Sequence, residues 1–136
     1  MRVVLDTNII LSSFSRYSPY RIVFDDFEAG KYELSVSTEI LLEYEEKLTE
    51  IFSSEVSGLT VGGLMLKKNI IRTEIYYRWN LLITDADDNK FVDCALNSNS
   101  NYLVTNDRDY RILSKVDFPP VKVINIDKFI SILKSL

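Results

Sequence analysis

The sequence predicts an α/β fold, a single domain over residues 1–136 built on a small central parallel sheet flanked by helices. Three observations carry that expectation. Short runs of β-branched and apolar residues alternate along the chain with helical patterns. The first run, Arg2 to Leu5, shows no polar alternation and stops abruptly at Asp6, as a parallel strand buried on both faces does. A length of 136 residues with 46% hydrophobic content supports one sizeable core, and no repeat, low-complexity stretch or linker rich in Pro, Gly or Ser divides it.

After the first strand come a loop and a helix from about Pro19 to Ala29, with Pro19 at a starting position and Gly30 as the stop. "KYELSV" reads as the second strand. Ser37 then caps a helix to about Phe52, whose apolar stripe is Ile40, Leu41, Tyr44, Leu48 and Ile51. The stretch from Ser53 to Asn80 is the hardest to read, and its pattern suits a short helix pair; the basic cluster in "LKKNIIR" suits a solvated helix face. A helix from Asp87 to about Asn97, a strand at "NYLVT", a short helix after Asp107, a strand at "VKVIN" and an amphipathic helix at "DKFISILKSL" complete the alternation.

Composition narrows the chemistry. The chain has no histidine, which removes Ser-His-Asp and Cys-His catalysis and the usual ligand sets of zinc, copper and non-haem iron. Its one cysteine, Cys94, can neither close an internal disulfide nor build a thiolate metal site, and reads as a small core residue. Any active site must use carboxylates, hydroxyls, amides, Lys or Arg. A net charge of -4 argues against a protein that coats nucleic acid through its overall field. It leaves a nuclease open, because bound divalent ions invert the local charge of a carboxylate site. No apolar run approaches the roughly 18 residues of a membrane span, and Met1 leads straight into "RVVLDTN" without a signal-peptide core, so the expectation is a cytoplasmic protein with no membrane partner.

The acids then stand out. In "TDADDNKFVDCAL", Asp88, Phe91, Val92 and Ala95 fall at i, i+3, i+4 and i+7, so Asp88 shares a helical face with the core, while Asp87 and Asp93 point elsewhere. Asp88 must either cap the helix or meet a cation, because a buried lone carboxylate is costly. Asp6 and Asp107 end two strands, and the carboxyl ends of strands form the ligand edge of an open α/β sheet, although each could be an ordinary turn residue. In "STEILLEYEEKL", Glu43 and Glu45 flank the apolar stripe on opposite sides, and periodicity leaves the choice open; Glu39 and Glu46 lie farther round, in solvent, and Glu43 could pair with Lys47 at i+4. Three or four converging carboxylates form an all-oxygen site suited to Mg²⁺ or Mn²⁺, ions that handle phosphates and can support both oxygens of an in-line displacement.

Taken together and in this order, "VVLDTNIILSSF", "STEILLEYEEKL", "DADDNKFVDCAL" and "YLVTNDRDY" resemble the PIN-domain ribonucleases, and most of all those regarded as toxins of toxin–antitoxin pairs, relatives of the VapC toxins. The resemblance spans essentially the whole chain. It implies a Mg²⁺- or Mn²⁺-dependent ribonuclease cleaving single-stranded RNA, an antitoxin partner and a homodimer. It also implies the catalytic and metal-binding set Asp6, Glu43, Asp88 and Asp107, which decides for Glu43 over Glu45. Asn8 and Thr105 match positions that orient the carboxylates or a water, and Asp109 matches an accessory acid. Ala86 stands where proline is frequent, and Asn106 where Gly or Arg is commoner, but neither change removes a ligand. Two rival readings follow from the same residues. One is a non-catalytic module of this fold that binds RNA or protein. The other is an aspartate-dependent phosphatase, which "VVLDTN" resembles but which needs a second Asp where this chain has Asn8.

Overall fold

The computed structural model describes residues 1–82, 86–117 and 119–136. Thr84 and Asp85, part of the acidic stretch singled out above, lie outside the described residues. Five strands form one parallel sheet among the described residues: β1 (Arg2–Leu5), β2 (Glu33–Val36), β3 (Ile70–Arg72), β4 (Tyr102–Val104) and β5 (Val123–Ile124). The spatial order is β3-β2-β1-β4-β5, with Val3 opposite both Leu34 and Tyr102 in register. The chain therefore builds outward from β1 through β2 to β3, then crosses back to add β4 and β5 on the other side. That reversal makes β1 and β4 the topological switch point, where the carboxyl ends of adjacent strands leave a crevice.

Six α-helices accompany the strands among the described residues: α1 (Thr7–Phe14), α2 (Ile22–Glu28), α3 (Thr38–Ile51), α4 (Ser54–Met65), α5 (Asn89–Asn97) and α6 (Ile126–Ser135). Two 3-10 segments, Ala86–Asp88 and Arg108–Lys115, precede α5 and follow β4. Ser37 caps α3 as expected, its hydroxyl accepting from the Ile40 amide at 3.3 Å, and Asn125 does the same for α6. Val3, Val4, Leu34, Val36, Leu103 and Val104 are fully enclosed, the burial on both faces that the uninterrupted apolar runs anticipate. α5 lays Phe91, Val92, Cys94 and Ala95 against β1, β2 and β4. Tyr44 of α3 is buried with its hydroxyl donated to the Leu5 carbonyl, pinning α3 to the end of β1.

Several expectations need correction. The loop expected after Asp6 is the helix α1, whose Ile9 and Ile10 join the core. Ser53 to Asn80 holds one helix, α4, then the strand β3 and an extended strap, in place of a helix pair. "LKKNIIR" is the turn into β3, with Lys67 paired to Glu28 at 2.5 Å, rather than a helix face. Ile51, assigned to the α3 stripe, is exposed, because the helix ends there and its last turn overhangs the core.

The strap, residues 73–82, is held by side chains of α5. Asn97 Oδ1 accepts from the amides of Tyr76 and Tyr77 while its Nδ2 donates to the Tyr77 carbonyl. Asp93 Oδ1 accepts from the Trp79 amide at 2.9 Å, and the Asn89 amide group both accepts from and donates to the Leu82 backbone at 2.9 Å. Asn89, Asp93 and Asn97 stand at i, i+4 and i+8, so α5 carries a polar stripe that substitutes for a neighbouring strand's hydrogen bonds. Asp93 lies off the apolar stripe, as expected, yet is buried at 2% exposure because the strap covers this second, polar side.

Candidate active site

Asp6 follows β1 directly, and its backbone amide donates to the Val104 carbonyl at 3.0 Å, locking it beside the end of β4. Its side chain is 5% exposed and makes no cap to α1. Instead Asp6 Oδ2 accepts from the Thr105 hydroxyl at 2.6 Å, and the same Thr105 oxygen accepts from the Asp107 amide at 3.0 Å. One buried hydroxyl therefore ties the two strand-end acids at the switch point.

Asp107 also plays the ordinary role open to it, accepting from the Asp109 amide at 2.9 Å as cap of the following 3-10 segment. Asp109 reaches Asp107 through its backbone, and its own residue is exposed. Asp88 is half-buried at the last position before α5 and makes no capping hydrogen bond, so the cap reading does not account for it. Its carbonyl receives the Tyr110 hydroxyl at 3.4 Å.

Glu43 rather than Glu45 turns inward: Glu43 is half-buried and Glu45 exposed. Glu43 Oε2 accepts from the Thr7 hydroxyl, and Oε1 meets the Lys90 ammonium at 2.8 Å. The anticipated Glu43–Lys47 pair is not the one that forms; Lys47 faces Glu50 at 3.5 Å, and Lys90, arriving from α5, takes Glu43. Glu39, as expected, lies in solvent, where it pairs with Arg78 at 2.8 Å. Asn8 is exposed in the first turn of α1, and its neighbour Thr7 is the residue that orients a carboxylate. Thr7 and Lys90 are the site residues that sequence reasoning missed. Both reach Glu43 across the fold, from positions 36 and 47 residues away in the chain.

The acids share one field. Burial first, then the charges of Glu43 and Asp107, hold the Asp6 carboxyl above its usual 3.8, against the lowering effect of Thr105. The Tyr110 hydroxyl is raised by burial and then by Asp6, Asp88 and Asp107 together. An anionic pocket of this kind, with only oxygen donors among its acids, suits a hard divalent ion, which would relieve the repulsion. Among the described residues no three acidic side chains stand together as a finished ligand set. Glu43 has its two oxygens on Thr7 and Lys90.

Beside Asp107 the crevice opens into a groove of about 810 Å³ that runs between the 3-10 segment and β5, lined by Arg108, Arg111, Lys122, Tyr20 and Tyr110 among others. Cations thus flank an acidic centre.

The PIN-domain family model matches residues 2–109. The chain belongs to the PIN-domain family. Two solved structures share the fold. VapBC2 from Rickettsia felis, bound to a DNA fragment from its promoter, is similar at a TM-score of 0.64 and 17% identity, over 92% of this chain and 98% of that one. DNA-bound VapBC from Salmonella typhimurium is similar at a TM-score of 0.58 and 13% identity, over 93% and 98%. No curated protein sequence matches the chain.

Proposed function

We propose that this chain is a Mg²⁺- or Mn²⁺-dependent endoribonuclease of the VapC kind, cleaving single-stranded RNA in the cytoplasm and restrained by an antitoxin. The observation that carries the reading is the shared field at the switch point: Asp6 is buried, tied through Thr105 to Asp107, and raised by Glu43 as well as by Asp107. Membership of the PIN-domain family and the VapBC complexes of similar fold support it, and those complexes are the ground for proposing an antitoxin, while a homodimer rests on the sequence resemblance alone. Among the described residues no helix is long and apolar enough to cross a membrane.

Asp6, Glu43, Asp88 and Asp107 would hold the ion. When bound it would polarise the scissile phosphate and favour ionisation of the attacking water. The chain's own residues do the positioning. Thr105 and Thr7 fix the rotamers of Asp6 and Glu43, so the charge that receives the ion is set before the substrate arrives. Arg108, Arg111 and Lys122 in the adjoining groove supply phosphate contacts for the strand on either side of the cut. Tyr20 adds ring surface to that groove, while Tyr110, 1% exposed, backs it from the core.

The second reading, a module of this fold that binds without cleaving, draws on Lys90 already neutralising Glu43. The two part on activity. RNA cleavage with Mn²⁺ is measured for the wild type and for Asp88→Asn, Glu43→Gln and Glu45→Gln, with melting temperatures alongside. The nuclease reading expects Asp88→Asn and Glu43→Gln to lose at least about 100-fold in rate with the fold retained, while the exposed Glu45→Gln stays within about threefold. A wild type that never cleaves, or four proteins that cleave alike, would sink it.

A further inference from the structure

Lys90 brings a cation into the acidic pocket. Its Nζ lies 2.8 Å from Glu43 Oε1 and 3.1 Å from Asp87 Oδ1, with the side chain 10% exposed. Its aim is fixed from behind: Asn89, the preceding residue, is buried and bonded through both amide atoms to the Leu82 backbone, and the ammonium lies 5.6 Å over the ring of Phe91, the following residue. Ordinary surface pairs in this molecule, such as Lys47 with Glu50, are far more open than Lys90. The pairing also crosses between α3 and α5, so it closes the pocket wall rather than decorating one helix.

Resting on the metal-site reading above, we propose that Lys90 is a resident counter-ion of the acidic pocket, occupying on Glu43 the place a divalent ion takes, so that loading is an exchange of ammonium for metal. Glu43 and Asp107 both repel the buried Asp6 carboxylate, and the folded chain meets that repulsion before any ion binds. A single positive charge on Glu43 lessens it. An ammonium suits the task because it is a compact point charge on a flexible stem and can swing outward when a doubly charged ion outcompetes it. Asp87, 80% exposed, already shares the ammonium and marks the outward side.

Lys90→Met, Lys90→Arg and the double variant Lys90→Met with Glu43→Gln test this on the full chain. In EDTA, Lys90→Met is expected to melt below wild type, the double variant to recover most of the loss, and Lys90→Arg to melt like wild type. Mn²⁺ affinity, read by the loss of the free-ion electron paramagnetic signal, is expected to tighten about tenfold in Lys90→Met, the scale of one nearby charge, and to stay near wild type in Lys90→Arg. Wild-type melting of Lys90→Met in EDTA overturns the counter-ion role. Unchanged or weaker Mn²⁺ binding by Lys90→Met, with wild type binding normally, overturns the exchange. Failure of all four proteins to bind Mn²⁺ is a different result, which removes the metal reading itself. Should Lys90→Met not fold, acetylation of Lys90 in the wild type, followed by mass spectrometry, decides: several-fold faster modification with Mg²⁺ supports the exchange and an unchanged rate overturns it.

Discussion

Thr105 Oγ1 donates to Asp6 and accepts from the amide of Asp107, so a single hydroxyl holds both acids of the switch point. Thr105→Val keeps the shape, removes both hydrogen bonds and leaves the buried Asp6 carboxylate without its hydroxyl donor. It should cost about 1–3 kcal/mol of stability and weaken Mn²⁺ binding about 10- to 100-fold, with Thr105→Ser restoring most of each. Urea unfolding and Mn²⁺ titration check this; equal affinity in the valine variant would show that Thr105 only fills space. At this scale the sequence was legible where a residue's role follows from its own place in the chain. Asp6 and Asp107 are strand ends, and strand ends can be read from an apolar run that stops. Thr7 and Lys90 were not legible, because their roles come from meeting Glu43 across the fold. Asn8, which resemblance put forward, is exposed beside the Thr7 that does the orienting.

α5 shows why an element can be found and still be misread. Its apolar stripe, Phe91, Val92 and Ala95, located the helix and its sheet-facing side. Periodicity of apolar residues cannot report a second buried side that is polar, so Asn89, Asp93 and Asn97 gave no signal until the strap was seen lying against them. The strap and β3 were obscure for a related reason: backbone groups satisfied by side chains of another helix leave no periodic trace of their own. Asp93 carries a consequence for pH. Burial, with Glu39 as a smaller effect of the same sign, raises its carboxyl above 3.8 despite the Trp79 amide and Arg78. The folded chain therefore binds this proton more tightly than the unfolded chain, so the contribution of Asp93 is most favourable at low pH and is lost as pH rises through the raised folded value. Asp93→Asn keeps an oxygen for the Trp79 amide and carries no charge. It should melt above wild type at neutral pH, and the gap should close below about pH 4, where the wild-type carboxyl is protonated in both states. A gap that persists or widens in acid would mean the nearby charge of Arg78 outweighs burial.

At the scale of the whole molecule, the alternation of strands and helices was enough to anticipate a parallel sheet, and the reversal of strand order explains why acids separated by about a hundred residues meet. On the proposed ribonuclease reading, the net charge of -4 raises the question of how such a surface would hold a polyanion. The overall field repels RNA, so attraction must be local, and the groove beside Asp107 supplies Arg108, Arg111 and Lys122 against the acids Asp107 and Asp127. That arrangement sets the expected salt dependence. Three phosphate contacts on a single strand give a slope of log affinity against log salt of roughly -2, about -0.7 per contact. Each of Arg108→Gln, Arg111→Gln and Lys122→Gln should then flatten the slope by about 0.7 and raise KM with little change in kcat, since these side chains hold flanking phosphates rather than the reacting one. The measurement is made in an Asp88→Asn background, which the proposed mechanism expects not to cleave, with a single-stranded RNA titrated from low to moderate salt at constant Mg²⁺. Slopes that do not respond to any of the three substitutions would move the RNA path off this groove, while leaving the acidic centre at the switch point where it is.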